Sequence, residues 1–157
     1  MRFQKTVFLM ALVLLLSSFS YAAPVAGKVR SALGDVSRQK KNQSTWSTLR
    51  VGAKVFQTDK VKTGQESELV LGLPDGSIIT IEEHSEVELS ELFEENGAYK
   101  TSIDIQSGRL SFAAQKQEKK TASFSFKTGT AVAAIRGTEG VISSKPFFAG
   151  LRNGKLE

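Results

Sequence analysis

Turn-forming residues interrupt this sequence about every ten residues, and the segments between them alternate apolar with polar side chains. That spacing leaves little room for helices and sets a side-chain period of two. The chain therefore reads as all-β: a single domain of many short strands, arranged as a rolled sandwich or a β-solenoid-like sheet. Strands are expected over 27–32, 34–39, 54–56, 60–62, 68–72, 77–81, 86–89, 100–106, 109–113, 123–127, 131–135 and 139–143. The turns between them carry their own chemistry. Leu73-Pro74-Asp75-Gly76 places proline where a turn wants a fixed φ and glycine where it wants φ > 0, and Asn96-Gly97 is a hairpin signal.

Four stretches share the pattern glycine, charge, aliphatic: Gly27-Lys28-Val29, Gly34-Asp35-Val36, Gly108-Arg109-Leu110 and Gly154-Lys155-Leu156. Each reads as a turn glycine releasing the chain into a new strand, with the charge outward and the aliphatic inward. Near the C-terminal end, Phe124 and Phe126 alternate with Ser125 and Lys127, as in a strand with one side on a core. Ala131 to Ile135 reads as a fully buried strand, and Arg136 follows it directly. A guanidinium stays charged, so Arg136 is expected to pair with a carboxylate or satisfy carbonyls at the strand end, with Gly137 giving the backbone freedom to place it. The lone tryptophan, Trp46, reads as an anchor pinning a loop onto the core, with ligand contact as the alternative.

Residues 1–22 read as a signal peptide. Arg2 and Lys5 precede the uncharged apolar run from Val7 to Phe19, and Ser20-Tyr21-Ala22 offers small residues at the cleavage positions. The run is too short to span a bilayer, so no transmembrane anchor is expected after cleavage. Of the 157 residues, 135 follow Ala22, and these carry 19 basic and 16 acidic side chains because Arg2 and Lys5 leave with the leader. The expected domain covers 23–157. Asn153-Gly154-Lys155-Leu156 reads as the opening of another strand just where the sequence stops, a pattern that an incomplete C-terminal end would give. There is no cysteine, hence no disulfide framework and no thiolate metal site. A periplasmic or secreted protein held by its core alone is the expectation.

Charge supplies the remaining hints. Between Glu82 and Glu95 stand seven glutamates and no basic residue. Val87 and Leu89 alternate with Glu86 and Glu88, so one strand face is apolar and the other acidic. A solvated edge kept from pairing explains the run structurally; an acidic docking face, with Glu82, Glu86, Glu88 and Glu91 as partner-binding candidates, explains it functionally. The basic stretches Arg38-Gln39-Lys40-Lys41 and Lys116-Gln117-Glu118-Lys119-Lys120 read as solvated loops, with contact to anionic envelope polymers as the alternative. His84 reads as an exposed turn residue. No catalytic motif, cofactor site or metal-ligand spacing is present to name, so an enzyme is not expected.

Several of these stretches together resemble the FecR domain: Gly34-Asp35-Val36 followed by Trp46-Ser47-Thr48-Leu49; Asp59-Lys60-Val61-Lys62-Thr63-Gly64 with Ser67 and Leu69; Leu73-Pro74-Asp75-Gly76-Ser77-Ile78-Ile79; Ile105-Gln106-Ser107-Gly108-Arg109-Leu110; and the structural triplet Arg136-Gly137-Thr138 after a short apolar strand. The resemblance implies an extracytoplasmic all-β domain that acts through binding. In the regulators that name the family, such a domain is the periplasmic half of an inner-membrane protein that hears an outer-membrane transporter and signals to a sigma factor. This chain has a leader where those proteins carry a cytoplasmic segment and a spanning helix, so it resembles the exported, stand-alone members. It also has Thr128-Gly129 where the family usually places a proline, which loosens the approach to the following strand.

The expected role is non-catalytic binding in the cell envelope, to an envelope protein. A glycan- or peptidoglycan-binding module is the first alternative and a periplasmic accessory of a sigma-regulator system the second; a carboxylate-based hydrolase is the enzymatic alternative. Nucleic acid is not an expected partner of an exported chain.

Overall fold

The computed structural model describes residues 25–115, 123–135, 139–144 and 147–151. The expected leader, the Lys116–Lys120 cluster, the Arg136-Gly137-Thr138 triplet and Gly154-Lys155-Leu156 lie outside the described residues.

Fourteen strands follow in chain order: β1 (Ala26–Leu33), β2 (Val36–Gln39), β3 (Trp46–Thr48), β4 (Lys54–Phe56), β5 (Lys60–Thr63), β6 (Glu68–Gly72), β7 (Ile78–Ile81), β8 (Glu86–Glu95), β9 (Ala98–Ser107), β10 (Arg109–Ala113), β11 (Ser123–Thr128), β12 (Val132–Ile135), β13 (Glu139–Ser144) and β14 (Phe147–Leu151). No helix occurs among the described residues. The strands form two seven-stranded sheets, ordered β14-β13-β10-β7-β6-β1-β4 and β12-β11-β9-β8-β5-β2-β3. Apart from the β4–β1 and β3–β2 ends, strand order follows chain order in both sheets. The chain thus winds back and forth between two layers that grow at the same end, giving a sandwich built up as a solenoid is. Among the described residues every strand pairing is antiparallel except β9–β11, which is parallel, with β10 of the other sheet lying between them in the chain.

Alternation puts one face of each strand into a common core. Val29, Leu69, Leu71, Ile79, Ile81, Leu110, Phe112 and Ile142 of the first sheet meet Val36, Val61, Val87, Leu89, Ile103, Ile105, Phe124 and Phe126 of the second, all buried. The layers are joined by rings: Phe112 and Phe126 lie 4.8 Å apart at a 35° tilt, and Phe124 stacks on Phe126 at 6.3 Å. Burying each such side chain contributes about 1.5–3 kcal/mol.

Two of the glycine-charge-aliphatic stretches are corners where the chain crosses between sheets. Gly34 (φ 72°) links β1 to β2, and Gly108 (φ 86°) links β9 to β10. The corners share one construction. The residue after the glycine donates its N–H to a buried serine hydroxyl: Asp35 to Ser67 Oγ at 2.8 Å, and Arg109 to Ser85 Oγ at 3.0 Å. That serine occupies the space a glycine Cβ would need. A Cβ on Gly108 would come within 2.5 Å of Ser85 Cα, and one on Gly34 within 2.9 Å of the Glu66 carbonyl. Only glycine fits, on both conformation and space. Gly27 differs, lying buried inside β1.

Both turns expected from sequence form. Gly76 (φ 88°) donates to the Leu73 carbonyl at 3.0 Å, and buried Asp75 accepts from the Ser77 N–H at 3.1 Å and hydroxyl at 2.7 Å. Asn96 (φ 53°) and Gly97 (φ 78°) close the β8–β9 hairpin, in which Glu95 pairs with Ala98.

Three expectations are corrected. Ala131 to Ile135 is not a fully buried strand: β12 lies at a sheet edge and alternates, with Ala133 and Ile135 buried and Val132 65% exposed. Trp46 is not a loop anchor: it begins edge strand β3 and is 39% exposed. The strand expected over 86–89 runs on to Glu95, because a bulge between Glu88 and Glu91 shifts the register and lets Leu92 return to the core. β3 and β14 add to the strands expected from sequence.

Two outer faces and a polar cleft

The residues that do not enter the core form two outer faces. Across the first sheet, strand registers align Ser31, Val70, Thr80, Ser111, Val141 and Gly150 in one row over six strands. None of the six is charged. Val70, Thr80, Ser111 and Val141 are half-buried, packed edge to edge yet open to solvent. Of the two neighbouring rows, Lys28, Gly72, Ile78, Ala113 and Glu139 carry charge only at the ends, whereas the row on the other side, with Leu33 opposite Glu68 and Arg109 opposite Ser143, is charged within the sheet. In the former, Ile78 is 43% exposed, and the Arg30 guanidinium lies across Gly72.

The second sheet differs. Its registers align Trp46, Gln39, Lys60, Glu88, Asp104, Lys127 and Val132 across all seven strands. Alongside run Thr48, Ser37, Lys62, Glu86 and Ser107. The acidic positions of β8 and β9 are thus set between β5 and β11, which carry Lys60, Lys62 and Lys127. Lys60 Nζ lies 3.9 Å from Glu88, Lys62 stands opposite Glu86, and Ser90 donates to Asp104 at 3.2 Å.

The four candidate glutamates are not gathered on one surface. Glu86 and Glu88 point outward from β8, with Lys62 and Lys60 of β5 on one side and Ser107 and Asp104 of β9 on the other; Glu91 lies beyond the bulge, opposite Ser102 and exposed. Glu82 follows β7 in the first sheet, 3.8 Å from the Arg109 guanidinium. At the hairpin, the Glu95 carboxylate accepts from Lys100 Nζ, which holds the Glu95 carboxyl below its usual range and raises Lys100, while the same ammonium lies 5.6 Å from the Phe93 ring centroid. Tyr99 is pushed up, chiefly by burial and then by Glu94. His84 is exposed at φ 53°, as expected of a turn residue.

A cleft of 420 Å³ opens where the β2–β3 and β4–β5 loops meet, lined by Lys40, Lys41, Asn42, Gln43 and Thr58 of the loops and by Gln39, Lys60 and Glu88 of the sheet. Asp59, 3% exposed, lies behind it and ties the loops together. One oxygen accepts the Lys41 N–H at 3.4 Å; the other accepts the Phe56 N–H at 3.0 Å and faces the Arg38 guanidinium at 3.7 Å. Arg38 also donates to the Lys54 carbonyl, while its buried Nε has no acceptor. Thr58 sits at φ 67°, costly for a β-branched residue, and is held there by its N–H on the Leu89 carbonyl at 2.6 Å. Sequence reasoning missed the cleft because its parts come from three separated segments, 39–43, 58–60 and Glu88; the Lys40-Lys41 pair was its one visible sign. Among the described residues, no group of three or more histidine or carboxylate side chains is placed to hold a metal ion.

Fold and surface together define a β-sandwich that offers broad faces and a shallow polar cleft. Residues 59–154 match the family described as FecR protein, more than half of the chain, and the protein belongs to that family. No curated protein and no solved structure matches it. Within the matched range, the shared motifs fall on residues that build the fold. Asp59 ties the loops, Thr63 Oγ1 donates to the Glu82 carbonyl at 2.6 Å and accepts from the Ser85 N–H at 3.0 Å, and Gly108 makes a corner.

Proposed function

We propose that this protein is a non-catalytic interaction domain of the bacterial cell envelope that binds a protein partner through the outer face of its first sheet. The uncharged row from Ser31 to Gly150 is the observation that carries this reading. Covering it strips no ammonium or carboxylate of water, so the apolar area of Val70, Val141 and Ile78 contributes at about 25 cal/mol per Å² without an opposing charge penalty. Protein interfaces also prefer few charges at the centre and a polar rim, the pattern made by Lys28, Arg30 and Glu139 on one side of the row and Glu68 and Arg109 on the other.

The FecR family is associated with periplasmic signalling regulators of sigma-factor systems, which favours a partner in such a system and a place in the periplasm, in keeping with the leader-like N-terminal sequence. Incubating the protein with envelope extract and identifying what it retains tests the reading. Saturable capture of a defined protein is expected. Retention of purified peptidoglycan but of no protein would overturn it.

A further inference from the structure

We propose that the cleft between the β2–β3 and β4–β5 loops is a second, separate site, and that it takes an acidic oligosaccharide. Three ammonium groups, Lys40, Lys41 and Lys60, face one carboxylate, Glu88, which Lys60 already approaches at 3.9 Å. The excess positive charge calls for an anion.

A bare anion would not use the rest of the lining. The Gln39, Asn42 and Gln43 amides and the Thr58 hydroxyl supply donors and acceptors together, the chemistry that matches the hydroxyl and amide groups of a sugar. At 420 Å³ the cleft falls within the roughly 300–1,000 Å³ range of small-ligand sites. An independent feature lies next to it. Trp46 is the cross-strand partner of Gln39, shares its face, and keeps 39% of its surface exposed. An indole beside hydrogen-bonding amides offers an apolar plate with a polar rim, suited to the face of a sugar ring.

The site is also held in shape before any ligand arrives. Buried Asp59 binds the backbone of Lys41 and Phe56, which fixes both loops, and Thr58 is kept in a costly conformation at the rim.

The test follows backbone and indole N–H signals of the isotope-labelled protein by NMR during four titrations: a soluble muropeptide, tri-galacturonate, maltotriose and polyphosphate. Saturable shifts at Gln39 to Gln43, Thr58 and the Trp46 indole are expected with at least one carboxylated glycan, and none with maltotriose. Response to the muropeptide would assign a cell-wall source; response to tri-galacturonate alone would assign a free acidic polymer. Lys40→Gln with Lys41→Gln, and separately Trp46→Ala, should each weaken binding about tenfold. Absence of saturable shifts with both carboxylated glycans would overturn the proposal. So would an equal response to maltotriose, or polyphosphate binding that Trp46→Ala leaves unchanged. Thr80→Arg, on the opposite face, should leave glycan binding intact, so failure here and failure of the protein-binding reading are told apart.

Discussion

The row across the first sheet, from Ser31 to Gly150, carries no charge, while the row across the second, from Trp46 to Val132, carries four: Lys60, Glu88, Asp104 and Lys127. Both rows ride on one core and one winding of the chain, so the difference lies in what each face meets. On the second sheet the two lysines offset the two carboxylates within a single row. Seven glutamates between 82 and 95 look like a strong acidic field in the sequence, yet folding sets lysines from β5 and β11 on either side of β8 and β9. The face that reads as acidic in the sequence is largely self-compensated, and the other face carries a row without charge.

The largest expected effect tests whether the faces share one core. Phe126 belongs to the second sheet and packs on Phe112 of the first, so Phe126→Ala should cost about 3–5 kcal/mol, read as one cooperative shift in denaturant unfolding. Two separate transitions would mean that the layers stand independently. Next comes the corner between the sheets. Gly108→Ala places a Cβ against Ser85 at φ 86° and should cost about 2–4 kcal/mol, checked by thermal melting.

Smaller effects separate the faces themselves. Lys60→Glu with Lys62→Glu removes the compensation beside β8 and should cost about 1–2 kcal/mol at low ionic strength, with most of it recovered in salt. Thr80→Arg on the uncharged face should change stability by less than about 0.5 kcal/mol and respond little to salt. The smallest effect lies at the β8–β9 hairpin. Glu95, lowered from 4.5, contributes above that value and loses its contribution as pH falls through the lowered one; Lys100, raised from 10.5, contributes below that value and loses it as pH rises through the raised one. Both are exposed, so Lys100→Ala should move the melting temperature by no more than about 1 °C at neutral pH.

Much of the fold was legible because strands and turns are local matters. Period-two alternation and, for Ala131 to Ile135, an apolar run located twelve of the fourteen described strands, and Pro74-Asp75-Gly76 and Asn96-Gly97 announced their turns. β3 escaped because Trp46-Ser47-Thr48 is too short to show alternation, and it is a strand only because it pairs with Ser37 to Gln39. Ala131 to Ile135 looked buried on both sides because nothing in its apolar run reveals that β12 closes a sheet edge. Surfaces were hardest to read. The uncharged row joins residues from six strands, each an unremarkable Ser, Val, Thr or Gly, and only the registers bring them together. Asp59 and Gly108, which carried the family resemblance, serve as a loop tie and a corner: what marks the family here is how the sandwich is wound.

Capture from envelope extract by the wild-type protein, Thr80→Arg and Lys62→Glu, run in parallel, tests the role of the uncharged face most directly. Thr80→Arg should lose the retained protein while Lys62→Glu keeps it, with all three melting within a few degrees of one another. Retention by Thr80→Arg together with loss by Lys62→Glu would place the partner on the charged face and contradict the assignment.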